Sequence, residues 1–427
     1  MHNNNKPFQI DRCLIYQSWL AVKANHGAAG IDNLDIKAIE KDYKDYKDLL
    51  YKLWNRMSSG SYMASAIKKV EIPKNDGKGG IRILGIPTVL DRVAQTAVVK
   101  LLEPRLDNRF DQDSYGYRPN KSAHDALTQA RARCLKIPYI IDLDIKSFYD
   151  NIPHDKLMEI VEQEIHEVWV KLYIMRWIKA DMQDSKGNIT ERTKGLSQGG
   201  ATSPLLANAY LDVVFDKWMR ANFPKIPFER YADDIVVHCY SLKQAKYVLE
   251  MIKDRMIEYG LEIHPDKTKI VYCRQEERRE KQPEEVSNKF DFLGYGFKTR
   301  TTIDKFNGKR MDSFTPAISD KSKKKIKDKI RELRIYNYTS CSAKEIANML
   351  RSKIVGWINY YGKFRKSELY DVFEVLNKAI LKWIKKKYKI TSTKKAHQKF
   401  IELQDGKVFA HFVLLLPQVV NATGRAV

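Results

Sequence analysis

Two adjacent aspartates, Asp233 and Asp234, stand in the stretch "FERYADDIVVHCY" (228–240), between two short β-rich runs. Such runs read as strands, which places the acids where one strand gives way to the next. Two like charges ~4 Å apart repel by about 1 kcal/mol in water and ~4 kcal/mol at a protein-like dielectric. A metal ion, a pair of basic side chains or open solvent must face them. Adjacent residues of a regular strand point to opposite sides. Both acids can therefore serve one metal cluster only if the backbone turns there.

The flanking sequence gives that tip a scaffold. "IKKVEIPKNDGKGGIRILGIP" (67–87) has the grammar of a hairpin around Asn75-Asp76-Gly77. "TVLDRVAQTAVVKLLEPRL" (88–106) carries a helical period, as do amphipathic stretches at 13–24 and 46–57. "PYIIDLDIKSFYDNI" (138–152) is a short strand ending in acids and a turn, with a long helical region expected over 154–181. "GLSQGGATSPLLANAYLDVVFDKWM" (195–219) is a glycine-rich turn feeding an apolar helix, and 241–260 is an amphipathic helix closed by Gly260. "LEIHPDKTKIVY" (261–272) and "FDFLGYGFK" (290–298) read as strands, and helices are expected at about 318–335, 342–362 and 367–388. Strands alternating with helices, then helices alone, predict an α+β core with an all-α basic appendix.

Charge separates the two parts. The 427 residues carry a formal charge of +23, and residues 298–400 hold 28 Lys/Arg against 9 Asp/Glu, a surplus of 19. So basic a module calls for a polyanion, with nucleic acid favoured over an acidic membrane surface. Five scattered cysteines without a Cys-x-x-Cys pair exclude a structural zinc site of the usual spacing and suit a reducing cytosol. The N-terminus lacks a signal pattern, and no apolar run approaches the 18 residues of a membrane helix.

Nucleotidyl transfer would use acids at strand ends. Two divalent ions ~3.5–4 Å apart clamp the attacking and leaving oxygens, and magnesium takes one or two carboxylates plus phosphate oxygens and water. Asp233 and Asp234 are half of such a site. "IDLDIKSFYDNI" offers Asp142, Asp144 and Asp150 for the other half, and periodicity does not choose among them.

"YADD", "DLDIKSFYDNI" and "LSQGGATSPLLANAYLD", in this order and spacing, resemble the palm of a reverse transcriptase, and more particularly the reverse transcriptase/maturase encoded by bacterial group II introns. "NHGAAGID", "SSGSY", "VEIPKNDG", "LGIPTVLDRVAQTAV", "DSYGYRPNKSAHDAL", "HPDKTKIVYC", "FDFLGYGF" and "GWINYYGKF" extend the similarity over nearly the whole chain. The resemblance implies a right-hand polymerase: N-terminal extension and fingers (1–130), a palm with a ferredoxin-like sheet (131–300), thumb and maturase-specific helices (301–400) and a tail (401–427) without an endonuclease domain.

By the same resemblance Asp144, Asp233 and Asp234 are the catalytic acids, binding two Mg²⁺ (Mn²⁺ as a substitute) with the Ile145 carbonyl, and Asp142 becomes structural. Lys74 and Arg82 match the pair that grips the incoming dNTP. Tyr149 matches the aromatic gate against ribonucleotides, Gln198 the glutamine on the sugar and templating pair, and Lys267 a proton donor to pyrophosphate. Tyr115, Tyr117 and Arg118 are candidate template contacts, with buried finger packing as the alternative, and Gly294 belongs to the block that steadies the primer. Leu350, Ile354, Trp357 and Ile358 fall at helical spacing and read as core, while the interleaved Lys353, Lys363, Arg365 and Lys366 and the later lysines make the outward face expected to hold RNA phosphates.

The function implied is RNA-directed DNA synthesis joined to maturase action in the bacterial cytosol. The partners implied are group II intron RNA, an RNA template, a DNA primer, dNTPs and target DNA, with no membrane. The sequence specifies no oligomeric state. A splicing factor with an idle polymerase, or a domesticated enzyme in host defence, are the competing readings.

Overall fold

In a computed structural model the described residues are 6–42, 46–73, 80–275, 285–303, 308–405 and 408–411. They fall into two compact units, each discontinuous in the chain. One comprises Met1–Ser122, Ile141–Val237 and Lys243–Thr268; the other comprises Ala123–Ile140, His238–Leu242 and Lys269–Val427. The architecture is α+β. Among the described residues no helix is long and apolar enough to cross a membrane.

In the first unit the helices Arg12–Ala24 and Tyr46–Ser59 bury Trp19, Val22, Leu53 and Met57 along one face. The strands Ile67–Pro73 and Ile81–Ile86 pair antiparallel, from Lys68 opposite Ile86 to Pro73 opposite Ile81. Their connection, including Lys74, lies outside the described residues. The helix Val89–Asp107 is started by Thr88, whose hydroxyl accepts the Asp91 backbone N–H at 3.1 Å. Buried Asp91 also accepts the Tyr62 and Thr88 hydroxyls at 2.6 and 2.7 Å, which satisfies a carboxylate removed from water.

The sheet that bears the acids places Tyr139–Asp144 beside Asp234–Cys239, which pairs in turn with Phe228–Tyr231. Ile141, Leu143, Ile235, Val236 and Val237 are buried, so the sheet is covered where its strands run apolar. The helix Ser203–Leu211 passes through a π turn, Asp212–Asp216, before continuing as Lys217–Asn222. A π turn inserts one residue into the helical ladder and re-aims the side chains that follow; here it carries Asp216.

The second unit is a three-stranded antiparallel sheet, Lys289–Phe292, Tyr295–Ile303 and Arg310–Ile318, followed by the helices Asp320–Glu332, Ala343–Tyr361, Tyr370–Lys387 and Thr393–Asp405. Ser342 and Glu345 close a reciprocal capping box at the start of the second of these helices. Leu350, Ile354 and Ile358 enter a core with Leu376, Ile380 and Trp383, and Trp357 packs at its edge. The helix Ala123–Lys136 belongs to this unit; its His124 stacks on Tyr360 at 5.2 Å and reaches the Tyr360 carbonyl at 2.8 Å.

Four local expectations change. The helical region over 154–181 is two helices, His154–Glu164 and Val168–Ile178. Of 261–272 only Lys269–Tyr272 is strand, because the preceding residues bend around the Asp144 strand end instead of extending. "FDFLGYGFK" is two strands: Leu293 and Gly294 both have positive φ (50° and 77°), and Phe292 pairs with Tyr295 across them. The paired strands Tyr295–Ile303 and Arg310–Ile318 were not expected, so the basic module turns helical only from Asp320.

Candidate active site

The backbone does turn between the two acids. Tyr231 pairs with Asp234, leaving Ala232 and Asp233 as a two-residue connection. Such a tight hairpin needs a left-handed first residue, and Ala232 has φ 56°, a conformation costly to an L-residue. Asp233 therefore leaves the alternation of the strand, while Asp234 begins the returning one.

The surroundings hold this turn. Gly116 lies so close that a Cβ there would stand 2.5 Å from the Ala232 nitrogen. Asn208 donates to the Gly116 carbonyl at 2.7 Å and accepts from Arg230 Nη1 at 2.9 Å. The same Nη1 reaches the Ala232 carbonyl at 3.3 Å. Arg230 Nε and Nη2 bind the two Asp216 oxygens at 2.7 and 2.5 Å, and neither side chain has any exposure. Burial pushes the Asp216 carboxyl up, against the pull of the Arg230 guanidinium.

Asp144 ends its strand under the "HPDKTK" segment. Its carbonyl accepts the His264 N–H at 2.8 Å, and its own N–H reaches the Thr268 hydroxyl at 3.3 Å. Lys267 Nζ lies 3.0 and 3.3 Å from the two carboxylate oxygens. Both side chains are largely exposed, so this pair is worth no more than about 1 kcal/mol and yields readily to a stronger cation. Ile145 is buried and bridges Ile263.

One electrostatic neighbourhood gathers most of the predicted site. Burial raises the Asp233 carboxyl from its ordinary range, the Asp144 charge adds to this, and Arg82 and Lys267 pull it down. Tyr149, raised by burial, also feels Tyr117 and Asp233. The Tyr117 hydroxyl is raised by burial and by Asp233, and lowered by Arg82. Asp144, Arg82, Lys267, Tyr117 and Tyr149 thus all lie within electrostatic reach of Asp233.

Tyr149 and Gln198 are each held by a backbone bond to another segment. Tyr149 sits on the short helix Phe148–Asn151 after a left-handed Ser147, and its carbonyl accepts the Leu196 N–H at 2.7 Å. The Gln198 carbonyl accepts the Gly85 N–H at 3.1 Å, and its side-chain amide donates to Asp150 at 3.3 Å. Gly199, at φ 140°, would place a Cβ 2.5 Å from the Gly85 carbonyl; only glycine permits that approach. The "LSQGG" turn is thereby fastened to the strand that carries Arg82.

Other candidates are used differently. Arg118 spends its guanidinium on Asp107 and on the carbonyls of Asp107, Asp111 and Ser114, and Tyr115 is buried with its hydroxyl toward Asp113. Both take the packing role that the sequence left open, while Tyr117 keeps an exposed ring. Gly294 faces Ser322 and Tyr361 of its own unit. Lys353 and Lys363 are exposed, Lys366 is half-buried, and Arg365 donates to the Thr301 carbonyl at 3.2 Å. Asn208, Asp216, Arg230 and Gly116 were missed as site residues; Gly116 between two tyrosines was the available signal.

Among the described residues no three Asp, Glu, His or Cys side chains close on a common point that could hold a metal. Asp144 and the desolvated Asp233 nonetheless make an open set of hard oxygen donors. That set suits magnesium, which completes its shell with phosphate and water.

Residues 72–297 match the family model "Reverse transcriptase (RNA-dependent DNA polymerase)", and residues 323–401 match "Group II intron, maturase-specific domain". Protein YkfC of Escherichia coli (strain K12) is 28% identical over 284 residues, 57% of this chain and 69% of that protein. The group II intron-encoded protein LtrA of Lactococcus lactis subsp. cremoris is 27% identical over 268 residues, 62% of this chain and 42% of LtrA. The putative COX1/OXI3 intron 2 protein of Saccharomyces cerevisiae is 27% identical over 214 residues, 50% of this chain and 24% of that protein. The matched region thus spans less than half of the last two relatives. Enzymes of the matched family generally use divalent metal ions. Because the first model alone covers more than half of its length, the chain belongs to the reverse transcriptase family, and it carries a group II intron maturase-specific domain after the polymerase region.

Proposed function

We propose that this chain is an RNA-directed DNA polymerase and maturase that binds group II intron RNA, assists its splicing and copies it into DNA from a target-site primer. The observation that carries the reading is the Asp144–Asp233 pair, two repelling carboxylates flanked by Arg82 and Lys267 and faced by Tyr117 and Tyr149. Asp144, Asp233 and Asp234, with the Ile145 carbonyl, would hold two Mg²⁺ ions, for which Mn²⁺ can substitute. When bound, these ions supply the positive charge that eases deprotonation of the primer 3′ hydroxyl and steadies the pentavalent phosphate.

The remaining roles fall to the chain's own side chains. Arg82, with Lys74, draws the triphosphate to the turn. Tyr149 closes the space under the sugar 2′ carbon, and Gln198 orients the sugar. Lys267, released from Asp144, gives a proton to the departing pyrophosphate. The surplus of basic residues over 298–400 supports RNA binding through phosphates. The setting we propose is the bacterial cytosol, close to the nucleoid.

The test is primer extension on an RNA template with dNTPs and Mg²⁺, run beside a binding assay with the intron RNA. Extension by the wild type, lost in Asp233→Asn with RNA affinity retained, supports the reading. A wild type that binds the RNA yet never extends a primer would reduce it to a splicing factor.

A further inference from the structure

Three tyrosine rings stand in the open at one end of the helix Tyr370–Lys387. Tyr336, Tyr338 and Tyr388 are 37%, 42% and 41% exposed, and the backbone of Tyr338 and the ring of Tyr388 adjoin the buried Trp383. The Trp383 indole N–H donates to the Tyr338 carbonyl at 2.8 Å, and its ring lies 6.1 Å from that of Tyr388. Tyr336 is carried by the 3₁₀ turn Ile335–Asn337, which packs against the same helix. The rings are interleaved with cations. Lys386 lies 5.9 Å from the Tyr336 ring centroid and Lys399 lies 5.7 Å from that of Tyr388.

Charge here is one-sided. The 27 residues 375–401 contain nine lysines and no acid; among the described residues, Glu374 pairs with Lys378, Glu402 pairs with Lys399, and Glu345 acts on Lys387. Lysines at a helix C-terminus are expected from the helix dipole alone. Dipole stabilisation asks for no exposed aromatic rings. Arg334 and Lys389, with φ of 43° and 50°, each follow a helix C-cap (Leu333 and Tyr388), where a left-handed residue closes the last turn.

A partner that rewards both features has flat faces to stack on tyrosine and a phosphate chain to neutralise lysine. Paired RNA hides its base faces within the helix, whereas unpaired RNA offers them. From the three exposed rings at this helix end and the lysines beside them, we infer that Tyr336, Tyr338 and Tyr388 form a stacking platform for an unpaired stretch of RNA. The inference rests on the reading of this chain as an RNA-binding maturase and names which kind of RNA this surface takes.

The experiment measures equilibrium binding of the full chain to an unstructured adenosine 12-mer, an abasic 12-mer and a blunt RNA duplex with the same number of phosphates. Wild type should bind the 12-mer at least tenfold tighter than the abasic strand. The Tyr336→Leu/Tyr338→Leu/Tyr388→Leu variant should lose at least tenfold on the 12-mer, change less than twofold on the duplex and keep its salt slope. Lys386→Gln/Lys399→Gln should instead lower the salt slope for both RNAs. Equal affinity of wild type for basic and abasic strands overturns the inference whatever the variants do. So does an equal loss on strand and duplex in the tyrosine variant, or no loss at all. Should the triple variant fail to fold, the single Tyr336→Leu change carries the same comparison. A wild type that binds none of the three would overturn the RNA-binding reading itself.

Discussion

Arg230 and Asp216 form a two-pronged ion pair with no solvent access, Arg230 standing two residues before the Ala232–Asp233 turn, and the same guanidinium reaches the Ala232 carbonyl. Breaking a buried pair by removing one partner strands the other charge and costs about 3–5 kcal/mol. Asp216→Ala should lower unfolding stability by that order, measured by urea denaturation. It should also impair DNA synthesis more than RNA binding, because the turn loses its brace.

Gly116→Ala tests the turn from the other side. The new methyl would stand 2.5 Å from the Ala232 nitrogen, a backbone atom with no room to retreat. Displacement of reacting groups by about 1 Å costs on the order of a hundredfold in rate. Primer extension should fall by that order with RNA affinity unchanged, and full activity would show that the turn has slack.

Asp233 links the site to pH. Its carboxyl is raised by burial first and by Asp144 next, so the folded chain holds this proton more firmly than the unfolded chain. The stability from that proton is fully present below the ordinary value near 3.8 and is lost as pH rises through the folded value. Metal-free Asp233→Asn should therefore melt higher than wild type at pH 7–8 and match it near pH 3.5. Added Mg²⁺ should narrow the gap at neutral pH by stabilising wild type alone. A melting curve set with no pH-dependent difference would contradict the crowding of Asp144 and Asp233.

Tyr149 is set beside Tyr117 and Asp233 by its short helix and the Leu196 bond. Tyr149→Val keeps an apolar group but removes the ring, so discrimination between dNTPs and rNTPs should drop by about tenfold or more. Competitive single-nucleotide incorporation measures it; an unchanged ratio removes Tyr149 as the gate.

Much of this was legible locally. The consecutive β-branched residues Ile235, Val236 and Val237 mark the strand after the acids, and ordered blocks around Asp144, Tyr149 and Gln198 carry the family resemblance. The amphipathic period of Leu350, Ile354 and Ile358 announced a buried face. Patterns of period two and 3.6 depend on near neighbours along the chain, so they survive without a structure. Leu293-Gly294 failed as a signal because the apolar run continues through the turn, and only the two positive φ angles separate the strands.

The chain's residue order by itself determined most of the elements, the basic module and which acids stand as candidates, since each follows from local pattern, charge count or motif. Tertiary structure alone decided that Asp233 leaves its strand through a left-handed Ala232, that a π turn brings Asp216 to Arg230, and that the helix Ala123–Lys136 joins the C-terminal unit. These are outcomes of packing between segments distant in sequence. There a buried charge must find its partner and a missing Cβ must find its neighbour, and no local periodicity encodes which ones they meet.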